Sequence, residues 1–293
     1  MVIGVLPYTL PVRMTYVRLQ KHQNTELPLL LSAQPDDIMD NMSHTNLADP
    51  KTRRKQLFDL ISIICILGTA VLLFYMFKGR AWANSSEKVS EDFHKLLYNS
   101  RLPYGNAHWL GTLVDKNPLD LWIFQEIIYE IKPDIIIEAG TFKGGSALYM
   151  ANLMDNMHHG KLITIDIEKQ ADLPVHPRIQ YLLGSSTSPE IVAKVKSAIG
   201  PQDKVMVVLD SDHRSPHVLR ELLIYSKIVT KGSYLILEDT DVNGHPVFPD
   251  FGPGPMEALR EYLKDHSDLE IDKSREKYLV TFNPNGYLRK VKD

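Results

Sequence analysis

The chain has 293 residues, of which 44% are hydrophobic and 24% are charged, and its formal net charge is −3. This length allows one large domain or two small ones. The nearly balanced charge gives no sign of a nucleic-acid-binding surface, so we predict no nucleic-acid partner. The single cysteine, Cys65, excludes a disulfide framework within the chain.

The composition is not uniform, because Leu57–Phe77 is almost entirely apolar and carries one charge, Asp59, near its start. About 20 consecutive apolar residues are needed to cross the hydrocarbon core of a bilayer, and a helix satisfies all of its backbone groups internally. The predicted organisation is therefore a disordered tail over residues 1–56, a transmembrane helix over 57–77, a tether over 78–95 and a folded domain over 96–293.

Basic residues flank the apolar segment unequally. Four precede it and two follow it: Lys51, Arg53, Arg54 and Lys55, then Lys78 and Arg80. Positive charge is retained preferentially on the cytoplasmic side of a membrane. The pattern predicts a single-pass type II protein with a cytoplasmic N-terminus, in a membrane that the sequence does not specify.

From about Leu96, strand-like and helix-like segments alternate. The predicted strands are Asp134–Glu138, Leu162–Asp166, Ile179–Leu183, Val205–Asp210 and Tyr234–Glu238, and the predicted helices are Leu119–Glu130, Ser146–Met154, Pro189–Ala198, Pro216–Ile228 and Pro255–Lys264. Continuous aliphatic runs indicate parallel strands covered on both faces. Two more strands, near Leu269–Asp272 and Tyr278–Phe282, predict an antiparallel pair at the sheet edge. The predicted fold is a Rossmann-like α/β sheet of the class I methyltransferase type.

The first strand runs into a glycine-rich turn and then a helix, in the segment Asp134–Ser146. Glycines let a backbone approach a ligand closely, and a helix N-terminus offers free N–H groups. The turn matches neither GxGxxG nor the phosphate loop of NTPases. We expect S-adenosylmethionine, with its ribose on the acid that ends the second strand. The predicted cofactor-binding residues are Glu138, Gly140, Thr141, Gly144, Gly145, Ser146, Asp166, Ser185 and Asp210.

Acidic residues also follow the fourth and fifth strands. Asp210 and Asp212 follow the fourth strand, and Glu238 and Asp239 follow the fifth. Neighbouring parallel strands place their ends side by side, where unpaired carboxylates would raise one another's pKa. A hard divalent cation such as Mg²⁺ removes that cost. The alternative is that these acids cap the next helices or pair with nearby arginines.

The loops after these strands hold candidates for proton transfer. His213, His217 and His245 are each able to act as a general base near neutral pH, although a single loop histidine is more often a surface residue. Two clusters of glycine and proline, within 243–247 and 252–255, predict a shaped substrate wall or lid.

Several motifs in the same order resemble the cephalosporin hydroxylase/rhamnosyl O-methyltransferase family. They are WLG, KNPLDLWIFQEIIYEIKPDIIIEAGTFKGGSAL, VVLDSDH, and LILEDTDVNGHPV followed by GPGPMEAL, and they cover about Tyr104–Val280. The resemblance implies S-adenosylmethionine in the glycine loop and Mg²⁺ on Glu238, Asp239 and an acid after the fourth strand. By spacing that acid is Asp212, with Asp210 as the alternative. No His₂-carboxylate triad of an iron oxygenase is present, which favours methyl transfer.

The sequence thus predicts a membrane-anchored, Mg²⁺-dependent O-methyltransferase, with His213 or His245 as the general base. Its acceptor is a hydroxyl of a sugar, a lipid-linked glycan or a small molecule, and a homo-oligomer is compatible with the pattern. Two alternatives stay open. One is a nicotinamide-dependent oxidoreductase, and the other is a membrane-tethered binding protein without catalytic activity.

Overall fold

A computed structural model describes residues 49–101 and 104–293, and these divide into two units between Leu72 and Leu73. The predicted disordered tail lies outside the described residues up to residue 48. Helix α1, Pro50–Asn99, includes the last residues assigned to that tail and the whole predicted tether. Within the described part of the chain, one helical stretch, Lys51–Lys78, is long and apolar enough to cross a membrane.

The end of α1 is held against the rest of the second unit by polar contacts. The Ser90 hydroxyl donates to the Leu279 carbonyl at 2.7 Å, and the His94 ring lies 2.8 Å from a carboxylate oxygen of Asp241. His94 also stacks on Phe282, with the ring centroids 5.4 Å apart. The predicted tether is therefore helical, and its C-terminal part packs on the α/β domain.

The second unit contains the alternating elements that the sequence predicts. In chain order they are β1 (His108–Trp109), β2 (Thr112–Leu113), α2 (Pro118–Ile131), β3 (Ile135–Ala139), α3 (Gly145–Asn156), β4 (Lys161–Asp166), β5 (Ile179–Leu183), α4 (Pro189–Ser197), β6 (Val205–Leu209), α5 (Ser215–Tyr225), β7 (Tyr234–Leu237), α6 (Pro255–Asp265), β8 (Leu269–Ile271), a 3₁₀ turn (Lys273–Glu276) and β9 (Tyr287–Lys290).

Seven of the strands form one sheet in the order β5-β4-β3-β6-β7-β9-β8. The first five in that order are parallel to one another, and β9 pairs antiparallel with both β7 and β8. The predicted parallel sheet with an antiparallel edge is confirmed.

The position of the last edge strand was wrong in the sequence prediction. Tyr278–Phe282 is not a strand, and β9 lies at Tyr287–Lys290, beyond the Asn283–Gly286 turn. The buried carboxylate of Asp120 binds this segment instead, accepting hydrogen bonds from the Phe282 amide at 2.9 Å and from the Thr281 hydroxyl. The Asp120 side chain thus satisfies a backbone N–H that the pattern assigned to a strand ladder.

The sheet is covered on both faces. Alternate residues of β3 contribute to two different hydrophobic clusters: Ile135 and Ile137 to one, and Ile136 to the other. The first cluster includes residues of α4, α5 and α6, and the second includes residues of α2 and α3. Because both faces are buried, β3, β6 and β7 are apolar apart from Glu138, and the other polar residues follow the ends of the strands.

Candidate active site

A cleft of about 710 Å³ lies at the C-terminal ends of the parallel strands. Open α/β sheets bind their ligands at this edge. Seven of the predicted site residues line the cleft: Gly140, Asp166, Ser185, Asp210, Asp212, His213 and Asp239. The other predicted residues, Glu138, Thr141, Gly144, Gly145, Ser146, Glu238 and His245, do not line it.

Three of the lining residues converge. One ligand atom each from Asp210, His213 and Asp239 lies within 4.8 Å of the others. His213 Nε2 is 3.2 Å from Asp239 Oδ2 and 4.0 Å from Asp210 Oδ1. Asp239 has a left-handed backbone, with φ of 52°, which is uncommon for a residue with a side chain. Such strain is concentrated at functional sites. The cluster is the strongest candidate for a catalytic centre.

A buried lysine neutralises the acids from the side away from the cleft. Lys116 Nζ lies 2.6 Å from Asp210 Oδ2 and 2.6 Å from Glu238 Oε1, and the residue is only 5% exposed. Burial lowers the pKa of Lys116, but the charges of Asp210 and Glu238 outweigh it, so that the pKa is raised overall. Lys116 is therefore a permanent cation between two carboxylates.

The sequence prediction did not include Lys116. It precedes Asn117, whose side chain accepts a hydrogen bond from the Leu119 amide at 3.1 Å and caps α2. The cap fixes the chain where it enters the helix and so places the lysine. The sequence did offer one indication of such a residue. Four carboxylates were predicted to meet at one edge of the sheet, and carboxylates that are buried together require a cation close by.

The two other predicted metal ligands have different partners. Glu238 is 5% exposed and points to Lys116, and burial raises its pKa well above the usual range, with a further contribution from the charge of Asp210. Asp212 Oδ1 accepts a hydrogen bond from the Arg214 amide at 3.0 Å, at the N-terminus of α5. This contact shapes the turn that leads into α5, and no side chain caps the helix itself. Of the predicted metal ligands, Asp239 lies in the cluster, together with Asp210, which the sequence left as the alternative to Asp212.

The glycine loop is shaped by Asp166 from the neighbouring strand. Asp166 Oδ2 accepts hydrogen bonds from the amides of Thr141 and Phe142 at 3.1 and 2.8 Å, and its other oxygen accepts from the Glu168 amide at 2.9 Å. Asp166 lines the cleft, as predicted for a ribose-binding acid, but it also holds the loop. Glu168 lines the cleft beside it and was not predicted.

Glu138 lies beneath the loop and is fully buried. It accepts hydrogen bonds from the Ser146 hydroxyl and from the Thr164 hydroxyl, the latter at 2.7 Å. Burial raises its pKa, while Lys116 and the two hydroxyls oppose the shift. Glu138 and Ser146 thus join β3 to the first turn of α3, and their position supports the loop from below.

The remaining histidines are held by carboxylates outside the cluster. His245 Nε2 is 2.7 Å from Glu257 Oε1, and that glutamate also accepts from the Gly254 amide at 2.7 Å. His217 lines the cleft near Ser186 and has its pKa raised by a hydrogen bond with Glu221. Of the candidate bases, His213 is the one in contact with the acidic cluster.

Replacing Gly140 with alanine is expected to damage both the fold and the cleft. Gly140 has φ of +102°, and an added Cβ would lie 1.9 Å from the Asp210 carbonyl oxygen. Left-handed strain and overpacking together should lower the free energy of unfolding by roughly 2–5 kcal/mol. The measurement is the thermal unfolding of the full chain in detergent.

Gly232→Ala is the matched control, because Gly232 has φ of +82° and nothing within 4 Å of an added Cβ. It should cost about 1–2 kcal/mol from the backbone strain alone. Equal losses for the two variants would contradict a steric role for the contact between Gly140 and Asp210.

Comparison with known proteins places these features in a family. Residues 103–291 match the family described as Rhamnosyl O-methyltransferase/CmcI. Rhamnosyl O-methyltransferase of Mycobacterium tuberculosis (strain ATCC 25618 / H37Rv) is 36% identical over 225 residues, covering 74% of this chain and 91% of the relative. The enzyme of that name from Mycobacterium leprae (strain TN) is 36% identical over 211 residues, with 69% and 91% coverage.

The fold is also that of a solved structure, described as the CmcI-N160 apo-structure. It is 19% identical to this chain with a TM-score of 0.52, covering 64% of this chain and 77% of the other. This likeness supports the assignment of the fold. The predicted resemblance is confirmed by the family match.

Proposed function

The chain belongs to the rhamnosyl O-methyltransferase/CmcI family, and we propose that it is a Mg²⁺-dependent O-methyltransferase that uses S-adenosylmethionine to methylate a sugar hydroxyl. The observation that carries the proposal is the position of Asp210, His213 and Asp239, which meet in the same cleft that Gly140 and Asp166 line. A cofactor loop and an acidic centre in one cleft are what methyl transfer to a hydroxyl requires.

The residues present fit both groups. Asp210 and Asp239 supply the carboxylate oxygens that Mg²⁺ prefers, and Mg²⁺ binds through one or two carboxylates while it retains several waters. The glycine turn brings backbone close to the cleft at Gly140, and the acid at the end of β4 lines the same cleft. Asp210 and Asp239 would hold the metal, and Gly140, Phe142, Asp166 and Ser185 would hold the nucleoside and amino-acid parts of the cofactor.

The proposed chemistry divides between the bound groups and the side chains. When bound, the metal lowers the pKa of an acceptor hydroxyl and the sulfonium supplies an activated methyl group. Asp210 and Asp239 fix the acceptor oxygen in position. His213 accepts the hydroxyl proton, and the Asp239 carboxylate, 3.2 Å from its Nε2, stabilises the resulting imidazolium. Lys116 offsets the electrostatic repulsion between Asp210 and Glu238, so that the two carboxylates stay close together. In-line positioning then provides most of the rate.

The apolar stretch in α1 supports anchoring to a membrane as part of this proposal. Lys51–Lys78 satisfies the length and composition of a span, and its described side chains are unburied. We propose the type II orientation given by the flanking basic residues. Reaction with a membrane-impermeant labelling reagent at Cys variants on each side of the span would test it.

Titration of the full chain in detergent with S-adenosylmethionine tests the cofactor directly. We expect micromolar binding by calorimetry that survives the Asp239→Asn substitution, because Asp239 is not among the residues proposed to hold the cofactor. A folded protein that binds neither S-adenosylmethionine nor its demethylated product would contradict the proposed function.

A further inference from the structure

A second cavity, of about 850 Å³, lies beside the cleft within the same unit. One wall is the C-terminal end of α1 and the residues that follow it, and the other is the loop after β7. We name it the tyrosine cavity; its lining residues are Lys95, Tyr98, Asn99, Arg101 and Tyr104, and Gly244 with residues 246–249. The loop is the one whose glycines and prolines predicted a substrate wall.

The tyrosine cavity opens towards the acidic cluster. Tyr104 lines both the cavity and the cleft, so the two spaces are neighbours at this residue. Tyr98 and Tyr104 also lie within electrostatic range of Asp239: burial first, and then nearby carboxylates including Asp239, raise the pKa of both phenols, to about 12 for Tyr98. A molecule in the cavity can therefore present one group to Asp239 while its remainder stays outside the cofactor cleft.

The walls of the cavity are aromatic and fixed. The Tyr98 and Tyr104 rings meet edge to face, with the centroids 5.6 Å apart, and Tyr104 stacks on Phe282 at 5.9 Å. Phe282 is 3% exposed, and its amide is held by Asp120. Across the cavity, Phe248 is 49% exposed. Aromatic faces with phenolic hydroxyls at their edges suit a ring that has an apolar face and a polar rim, as a sugar does.

The outer end of the cavity is cationic. Lys95 and Arg101 line it, and no carboxylate is found among its described lining residues. Glu91, one helical turn before Lys95, pairs with that lysine, which leaves a net charge of +1 at this end. Guanidinium and ammonium groups placed together bind phosphate and carboxylate oxygens. The cavity therefore matches a ring that carries one negative charge.

We propose that the tyrosine cavity is the acceptor site and that the acceptor is an anionic glycoside. Its sugar ring lies between Tyr98, Tyr104 and Phe248, and its anionic group lies on Lys95 and Arg101. This inference rests on the proposed function. It adds that residues at the C-terminal end of α1, outside the cluster of Asp210, His213 and Asp239, select the substrate by the charge on the glycoside.

The test compares three acceptors with the full chain in lipid nanodiscs: methyl rhamnoside, which is neutral, rhamnose 1-phosphate, and polyprenyl phosphoryl rhamnose. For Lys95→Gln/Arg101→Gln we expect KM for the charged acceptors to rise about 10- to 100-fold, the loss of a charge-assisted contact, with kcat within about threefold. KM for methyl rhamnoside and the affinity for S-adenosylmethionine should not change. A lower KM for rhamnose 1-phosphate would identify a soluble acceptor, and a lower KM for polyprenyl phosphoryl rhamnose would identify a lipid-linked one.

Lys88→Gln is the matched control, because Lys88 lies on the same helix, pairs with Asp92 and does not line the cavity. It should leave all three KM values unchanged. An equal loss for charged and neutral acceptors, or no loss for either, would overturn the proposal while the methyltransferase activity itself stands. If no acceptor is methylated, calorimetry with rhamnose 1-phosphate decides: binding that the double variant weakens supports the site, and absence of binding to the parent chain overturns it.

Discussion

Asp239→Asn is expected to lower kcat for methyl transfer by about 10²–10³-fold. The substitution keeps the shape of the side chain but removes a charge from the cluster with Asp210 and His213. An amide oxygen binds a divalent cation more weakly and does not stabilise a protonated histidine. The affinity for S-adenosylmethionine should stay within about threefold, because backbone groups of the glycine loop and Asp166 lie elsewhere in the cleft. Initial rates at several Mg²⁺ concentrations measure the effect.

Asp212→Asn serves as the comparison for that variant. Asp212 was the ligand favoured by sequence spacing, yet its carboxylate accepts a hydrogen bond from the Arg214 amide. Because an asparagine side chain accepts the same hydrogen bond in a turn of this kind, we expect a change in kcat of no more than about threefold. A large loss for Asp212→Asn combined with a small loss for Asp239→Asn would show that the metal binds elsewhere at this edge.

Lys116→Met is expected to reduce both stability and activity. Removing the lysine leaves Asp210 and Glu238 without the cation that lies 2.6 Å from each. Breaking a buried ion pair by deleting one partner typically costs about 3–5 kcal/mol in the free energy of unfolding. Adding Glu238→Gln to Lys116→Met should recover part of this loss, since it removes one of the two unpaired charges. Thermal unfolding of both variants checks the prediction.

Lys290→Met is the matched control for Lys116→Met. Both lysines are 5% exposed, but Lys290 contacts one carboxylate, Asp268, at 2.7 Å, on the side of the sheet edge away from the cleft. Its loss should cost less stability and leave kcat unchanged. If the two variants lost activity equally, the effect of Lys116 would be one of general folding rather than of charge at the site.

Much of the fold follows from the sequence, because the central strands are buried on both faces and so consist mostly of apolar residues. Such runs identify β3, β6 and β7, and their acidic ends place the cleft. The position of the edge strand β9 could not be predicted in this way. Val280–Phe282 has the residues of a strand, but the Asp120 carboxylate binds its backbone, and this contact spans more than 150 positions in the chain.

The sequence predicted the location of the site, at the ends of the strands, more accurately than the contacts of its individual side chains. Alternation along a strand turns Glu238 inward to Lys116, and the left-handed backbone of Asp239 turns its carboxylate into the cleft. Neither side-chain orientation can be predicted from the Glu238-Asp239 dipeptide alone. Asp210 and Asp212 differ in their contacts, since Asp210 meets His213 and Asp239 whereas the Asp212 carboxylate accepts a hydrogen bond from the Arg214 amide. Lys116 was missed because it lies in a loop before the first strand of the large sheet, and no sequence motif predicts its contact with Asp210 and Glu238.

The most direct test is transfer of labelled methyl groups from S-adenosylmethionine to a rhamnose-containing acceptor by the full chain, with Mg²⁺ and with EDTA. We predict an ether-linked methyl group on the sugar, formed with Mg²⁺, abolished by EDTA and restored by excess Mg²⁺, with transfer by the Asp239→Asn protein at least about 100-fold slower than by the parent chain in Mg²⁺. Transfer that continues in EDTA, or that the Asp239→Asn protein performs at the parent rate, would contradict a metal-assisted methyl transfer at the cluster of Asp210, His213 and Asp239.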